Sequence, residues 1–293
     1  MLKFGVVLAG SLQVIMRRRI PVILLGAIAL LSAQSRDTGA AQNVSWRNLQ
    51  PGVELATIPA GQTPSGGPGS LHVVRVDPRR ARLGVALASE SKVPPQTAGE
   101  WCRSAGLAVA INLGMFQADH RSNVGYLRHG RHSNNRRWNS YRAAVAIGPL
   151  KKSLPAALWL DLEPAKADPR LADYDIVVQN LRLLTRNRRN VWSPSAKKWS
   201  EAALAIDSQG RLLFLFSRAP FSMRDFNDLL LRLPLDVAGA MHLEGGPEAS
   251  LSIHTAGLDL DLSGSYETGF FPDDSNRRQW PIPNVLGVLR EIQ

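Results

Sequence analysis

The prediction of the fold starts from the stretch Met241-His242-Leu243-Glu244-Gly245-Gly246-Pro247-Glu248-Ala249-Ser250. An apolar run over 237–240 precedes it and an alternating segment over 251–254 follows it, so the pattern predicts a strand, a tight turn and a second strand. Two adjacent glycines allow a positive φ or a close approach of the backbone to another group. The turn also offers two carboxylates and a hydroxyl beside apolar strands. We therefore interpret this stretch, the glycine motif, as the floor of a site.

Two interpretations of the glycine motif are open on its residues alone. Glu244 and Glu248 form a carboxylate pair suited to general acid–base work on a glycosidic bond. The backbone amides of Gly245 and Gly246 are suited to hold an anion. Alternatively, the motif is an ordinary hairpin whose carboxylates face water.

The composition of the 293 residues is that of a globular protein, with 44% hydrophobic and 20% charged residues. The net charge is +11, which suits an anionic substrate, an anionic cell envelope or a nucleic acid without choosing among them. Cys102 is the single cysteine, so the sequence excludes an intramolecular disulfide and a zinc site built from Cys-x-x-Cys pairs.

The N-terminus has the pattern of a secretory signal. Three arginines at 17–19 precede an apolar run over 20–31, and small residues follow as far as 39–41. The apolar run is shorter than the about 20 residues that span a bilayer. We expect 1–41 to be the signal peptide of a periplasmic or secreted protein, with an uncleaved anchor as the alternative. Met16 directly precedes the arginines and is an alternative start.

Strand signals dominate the rest of the chain. Residues 42–70 read as an extended N-terminal arm, and 71–293 as one domain without an internal linker. Thr97 and Ser222 are predicted N-caps of two helices. The fold class that we expect is α+β, a single domain with a mixed, mostly antiparallel β-sheet core and a few packed helices. The predicted strands outside the glycine motif are 71–76, 82–88, 107–111, 142–147, 158–162, 175–179, 201–207, 211–217, 258–262 and 285–292.

Two further features are candidates for function. Asn112 follows a buried apolar run, a position where site residues are often carried, although a simple Asx turn is its plainer explanation. A basic tract with interleaved aromatics runs from Arg128 to Arg142 and suits a nucleic-acid strand, a phosphodiester or a solvated loop. The histidines show no metal-ligand spacing beyond His129 and His132, three residues apart, so no metal or other cofactor is expected.

Taken together, these motifs resemble the phosphodiester glycosidase family from about residue 71 to the C-terminus. The family has a strand that ends in Asn-Gly-Gly-Phe-Phe, and Asn112-Leu113-Gly114-Met115-Phe116 stands here. A family segment that ends in Gln-Ser before a leucine pair corresponds to Val177-Val178-Gln179-Asn180. The closing family motif, Asp-Gly-Gly followed by Gly-Ser-Ser, corresponds to residues 244–250.

The resemblance implies an exported hydrolase that cleaves a glycosyl (sugar-1-phosphate) phosphodiester in an envelope or extracellular glycan. Its substrate is then an anionic carbohydrate, with no nucleic acid and at most peripheral membrane contact; no oligomeric state is predicted. The expected catalytic residues are Glu244, Glu248 and Asn112, and the expected substrate-binding residues are Gly245, Gly246, Ser250, Gln179, Glu201 and Arg142.

The departures from the family pattern concern activity more than fold. Glu244 replaces an aspartate, Ala249 replaces the first serine, and Ser200-Glu201-Ala202-Ala203 stands where the family places an arginine. These changes motivate one alternative, a non-catalytic domain on the same fold that binds anionic glycans. The basic tract motivates another, a nucleic-acid binder, against which the export signal counts.

Overall fold

A computed structural model describes residues 44–162 and 168–291, so the predicted signal peptide lies outside the described residues. The helices, in chain order, are α1 (Ala88–Ser91), α2 (Ala98–Ser104) and α3 (Met223–Arg232). None of these helices is long and apolar enough to cross a membrane. The strands, in chain order, are β1 (Arg47–Gln50), β2 (Val53–Gln62), β3 (Pro68–Val76), β4 (Leu83–Leu87), β5 (Leu107–Asn112), β6 (Leu127–His129), β7 (His132–Asn135), β8 (Ala143–Pro149), β9 (Ala157–Asp161), β10 (Tyr174–Asn180), β11 (Arg182–Leu184), β12 (Trp199–Asp207), β13 (Leu212–Phe221), β14 (Val237–Gly245), β15 (Ser250–Thr255), β16 (Leu258–Ser263) and β17 (Asn284–Leu289).

The strands form three sheets. One has seven strands in the order β1-β2-β3-β13-β12-β14-β11, and two have five strands each, β7-β6-β10-β8-β9 and β16-β15-β5-β17-β4. Each pairing between neighbouring strands in these orders is antiparallel. The prediction of an α+β domain is therefore right in part: the core is antiparallel sheet rather than a mixed sheet, and helices contribute little.

Strand β12 explains how the layers pack. Side chains alternate between the two faces of a strand, and both faces of β12 are buried. Ala202, Leu204 and Ile206 belong to the core shared by all three sheets. Ala203 and Ala205 belong to the core under α3. Burial on both faces is the reason that 201–207 reads as a continuous apolar run.

The predicted helix starts are confirmed. Thr97 caps α2 in a reciprocal capping box: its Oγ1 accepts from the backbone N–H of Glu100, and its own N–H donates to Glu100 Oε2 at 2.8 Å. Ser222 caps α3, with its Oγ accepting from the N–H of Asp225 at 3.2 Å. Each cap satisfies N–H groups that the first turn of a helix leaves unpaired.

Residues 44–70 differ from the expected arm and loop. They contain β1 and β2, which pair with each other and, through β2 and β3, extend the seven-stranded sheet. Pro59 and Gly61, residues that usually mark loops, lie within β2. The sequence also gives no signal for β7, which is entirely polar, because half-exposed strands lack the apolar alternation on which the prediction depends.

Candidate active site

The glycine motif connects two different sheets. Strand β14 lies inside the seven-stranded sheet, one short 3₁₀ turn follows over Gly246–Glu248, and β15 pairs with β5 and β16 in a five-stranded sheet. The predicted order of strand, turn and strand is confirmed. The hairpin interpretation is wrong, because β14 and β15 do not pair, and the turn is buried where the sheets meet.

A bulge in β14 decides where Glu244 points. On β12, Ala203 pairs with His242 and Ala202 pairs with Glu244, so Leu243 is the extra residue. Directly opposed residues of paired strands share a face, and a bulge re-aims the side chains beside it. Glu244 therefore takes the face of Ala202, toward the core between the sheets, whereas His242 takes the opposite face.

Glu244 is a buried acid, with 7% of its surface exposed. Burial raises the pKa of its carboxyl well above the ordinary value of 4.5, and the charge of Glu248 raises it further. The N–H of Gly245 donates to Glu244 Oε1 at 3.1 Å, and this hydrogen bond lowers the pKa of Glu244. Its effect is smaller than the rise caused by burial. The arrangement favours a protonated carboxyl that can donate a proton.

Two more carboxylates share this region. Burial raises the pKa of Glu248, and the charge of Glu267, on the loop between β16 and β17, adds to that shift. Burial raises the pKa of Glu267 as well, while the charge of His242 opposes the rise. Sequence reasoning missed Glu267, because nothing in the glycine motif indicates that a residue of a later loop packs against it.

The two glycines of the motif are required by close neighbours. A Cβ on Gly245 would lie 2.7 Å from Trp199 Cδ1, and a Cβ on Gly246 would lie 2.4 Å from Glu267 Oε2. Gly246 also has a φ of +62°, a conformation that residues with a Cβ rarely adopt. The predicted close approach is confirmed, and the groups that approach are two side chains of the protein.

On the other face of β14, Glu201 and His242 form a buried pair. The His242 Nδ1 to Glu201 Oε1 distance is 2.6 Å, and only 4% of His242 and 1% of Glu201 are exposed. The indole N–H of Trp199 donates to the second oxygen of Glu201 at 2.6 Å, and the Trp199 ring meets the imidazole edge to face. Sequence reasoning named Glu201 but missed His242, a histidine that follows an apolar run within β14.

Asn112 and Ser250 hold the motif in shape. The Asn112 side chain donates to the carbonyl oxygen of Glu248 at 3.0 Å and accepts from the N–H of Ser250 at 2.8 Å. The Ser250 hydroxyl donates to that same carbonyl oxygen at 3.2 Å. Both side chains are buried, so their contacts in this structure are internal, and their contact with substrate stays a prediction.

Gln179 binds the backbone of the loop over 139–141, next to the site. Its carboxamide accepts from the N–H groups of Tyr126 and Asn139 and donates to the carbonyl oxygens of Asn139 and Tyr141. Tyr141 in turn has a raised pKa, caused by burial and by the charge of Glu244. The expected substrate contact of Gln179 stays a prediction; what the contacts establish is a support for the loop that faces Glu244.

Several side chains of the basic tract are engaged in contacts within the protein. The Arg128 guanidinium donates to the carbonyl oxygens of Gly130, Leu171 and Tyr174. His129 pairs with Glu90 and His132 with Ser89. Arg142 is exposed immediately before β8. Within 44–162 and 168–291, no three metal-ligating side chains gather where a metal ion would bind.

Residues 105–289, more than half of the chain, match the family model of the phosphodiester glycosidases. The chain belongs to the phosphodiester glycosidase family. The family is hydrolytic, and the glycine motif with its carboxylates lies inside the matched region. None of the curated proteins matches the sequence.

Solved structures with the same fold accompany the family match. A hypothetical protein from Synechocystis has a TM-score of 0.55 and 15% identity, and the alignment covers 84% of this chain and 64% of that chain, less than two thirds of it. The catalytic domain of zebrafish N-acetylglucosamine-1-phosphodiester alpha-N-acetylglucosaminidase, auto-inhibited by its pro-peptide, has the same TM-score and identity, with 84% of this chain and 85% of that chain covered. At this identity the likeness shows the fold alone.

Proposed function

We propose that this chain is an exported hydrolase that cleaves a glycosyl phosphodiester in an envelope or extracellular glycan. Family membership supports the reaction class. The observation that carries the proposal is Glu244, a buried carboxyl with a raised pKa beside the glycine motif. The signal pattern in 1–41 supports export.

In the proposed reaction, Glu244 is the general acid. It donates its proton to the phosphate oxygen that leaves the anomeric carbon of the sugar. Burial keeps that proton in place, since it is the largest cause of the raised pKa of Glu244, and any charge on Glu248 acts in the same direction. Glycoside hydrolases commonly use two carboxyl groups, and the different environments of the two groups give them different pKa values and different roles. Asn112 serves this step by fixing the backbone of residues 248–250.

An anionic substrate has to enter a site that contains several carboxyl groups. The raised pKa values of Glu244, Glu248 and Glu267 lessen this conflict, because protonated carboxyls do not repel a phosphodiester. We assign the phosphate contact to Arg142, which follows Tyr141. The proposal therefore includes an acidic pH optimum: activity falls as pH rises, when the carboxyls ionise and Glu244 loses its proton.

The test is turnover of a panel of sugar-1-phosphate methyl diesters by the purified protein at acidic and neutral pH, with and without a chelator. The first member is methyl N-acetylglucosamine-1-phosphate, by analogy with the name of the zebrafish enzyme. Glu244→Gln should abolish turnover while the thermal midpoint stays within a few degrees. Glu54→Gln, on β2 and in an ion pair with Arg75 of β3, is the matched control and should keep full activity.

Two outcomes would contradict the proposal. Undiminished turnover by Glu244→Gln would remove Glu244 from the reaction. Absence of turnover across the panel, together with retained affinity for the diesters in calorimetry, would favour the alternative of a non-catalytic domain that binds anionic glycans.

A further inference from the structure

The proposed reaction needs a second group besides Glu244. Water attacks the anomeric carbon only if some group accepts its proton, and the acid that protonates the leaving oxygen cannot accept that proton in the same step. Burial raises the pKa of Glu248 and of Glu267 and favours their protonated forms, which cannot accept that proton.

The Glu201–His242 pair has the geometry of a proton acceptor. A carboxylate accepts hydrogen bonds and cannot donate them, so the 2.6 Å contact places the imidazole proton on Nδ1 of His242. In the neutral ring the lone pair of the imidazole is then on Nε2. Both oxygens of Glu201 are engaged, one by His242 and one by the Trp199 indole, so the ring is held in one orientation and one tautomer.

The pair lies on the side of the motif opposite to Glu244. The bulge at Leu243 turns Glu244 to one face of β14 and leaves His242 on the other, with the turn at Gly246 following directly. Glu267 connects the two sides: its carboxylate packs against Gly246, and its charge interacts with Glu244 and with His242. Both groups therefore lie next to the turn that begins at Gly246, one on each face of β14.

We propose that His242 accepts the proton of the attacking water through Nε2 and that Glu201 is its positioning residue. The inference rests on the proposed function. In the step, an O–H bond of water breaks and its proton bonds to Nε2, while the water oxygen bonds to the anomeric carbon. The bond from that carbon to the phosphate oxygen breaks, its electron pair stays on the oxygen, and Glu244 protonates that oxygen. The proton on His242 later returns to the Glu244 carboxylate through solvent.

The position of the pair in the fold adds to the argument. Glu201 and His242 lie on neighbouring strands, β12 and β14, and the β14 end of the pair directly precedes the glycine motif turn.

The kinetic test uses methyl N-acetylglucosamine-1-phosphate, or the best diester of the panel, and the pH profiles of kcat and kcat/KM. His242→Gln should lower kcat by about 10²–10⁴-fold, the usual contribution of a general base. His254→Gln is the matched control, because His254 also pairs with a carboxylate, Asp261, at 2.9 Å but lies on the β15–β16 hairpin. It should stay within about twofold of wild type.

Glu201→Gln tests the positioning role. With the Trp199 N–H bound to the new carbonyl oxygen, the amide NH₂ faces Nδ1 and moves the imidazole proton to Nε2. The expected result is a loss of kcat comparable to that of His242→Gln with KM little changed. Glu201→Asp keeps a carboxylate and should retain the Nδ1–H tautomer with part of the activity.

Nitrogen-15 NMR of the His242 imidazole separates failure of this inference from failure of the proposed function. An Nδ1–H tautomer in wild type and an Nε2–H tautomer in Glu201→Gln are expected, whether or not any diester is hydrolysed. An Nε2–H tautomer in wild type overturns the inference. If wild type turns over a diester and His242→Gln stays within about threefold, the inference is wrong and the proposed function stands. If wild type turns over none, the proposed function fails, and an Nε2 resonance unmoved by added diester overturns the role of His242 as well.

Discussion

Gly246→Ala is the substitution by which the architecture of the motif can be tested most directly. Gly246 has a φ of +62°, and a Cβ there would lie 2.4 Å from Glu267 Oε2. Two costs add. An alanine in the left-handed region costs about 1–2 kcal/mol. Displacing the Glu267 carboxylate adds about 1–3 kcal/mol, which is the usual range for overpacking. The expected loss in the free energy of unfolding is therefore about 2–5 kcal/mol.

Gly106→Ala isolates the backbone cost. Gly106 has nearly the same φ, +66°, and a Cβ there would have no heavy atom within 4 Å, so this variant should lose only about 1–2 kcal/mol. Urea unfolding followed by tryptophan fluorescence measures both free energies. The double variant Gly246→Ala/Glu267→Ala should recover most of the difference, because the carboxylate is gone. Equal losses for the two glycine variants, within about 0.5 kcal/mol, would refute the packing of Glu267 on Gly246.

Three further predictions concern the same region. The pKa of Glu244 is raised in the folded state, so its contribution to stability is complete below pH 4.5 and is lost as pH rises through the folded pKa. In urea titrations, Glu244→Gln should therefore be more stable than wild type at pH 7.5 but not at pH 4.5. An equal difference in the free energy of unfolding at both pH values would count against the raised pKa. Asn112→Ala leaves the buried N–H of Ser250 without its acceptor and should cost about 1–3 kcal/mol by the same assay, whereas a loss below about 0.5 kcal/mol would show that the turn does not depend on it. Gln179→Ala should raise hydrogen exchange at the backbone of 139–141, measured by mass spectrometry, and unchanged exchange there would contradict its role as a support.

The sequence was most reliable where the signal is local. Thr97 and Ser222 predicted helix starts correctly, because a cap and the N–H groups that it satisfies lie within three residues of each other. Most strands between 71 and 289 were also predicted, because burial on one or both faces leaves a readable apolar pattern. The β1 and β2 strands are not predicted, since they depend on the pairing of β1 with β2 and of β2 with β3, and Pro59 and Gly61 within β2 are residues that usually mark loops.

Contiguity in the sequence is enough to place Glu244, Gly245, Gly246 and Glu248 together where a strand passes into a turn, since turn chemistry is local. What surrounds that turn depends on packing between distant parts of the chain. Partners from distant parts of the chain surround it: Glu201 and Trp199 come from β12, Asn112 from the end of β5, and Glu267 from the loop before β17. A one-residue bulge turns Glu244 and His242 to opposite faces of β14. No local pattern encodes that bulge, because the register of a strand is fixed by its partners and by the packing of both its faces.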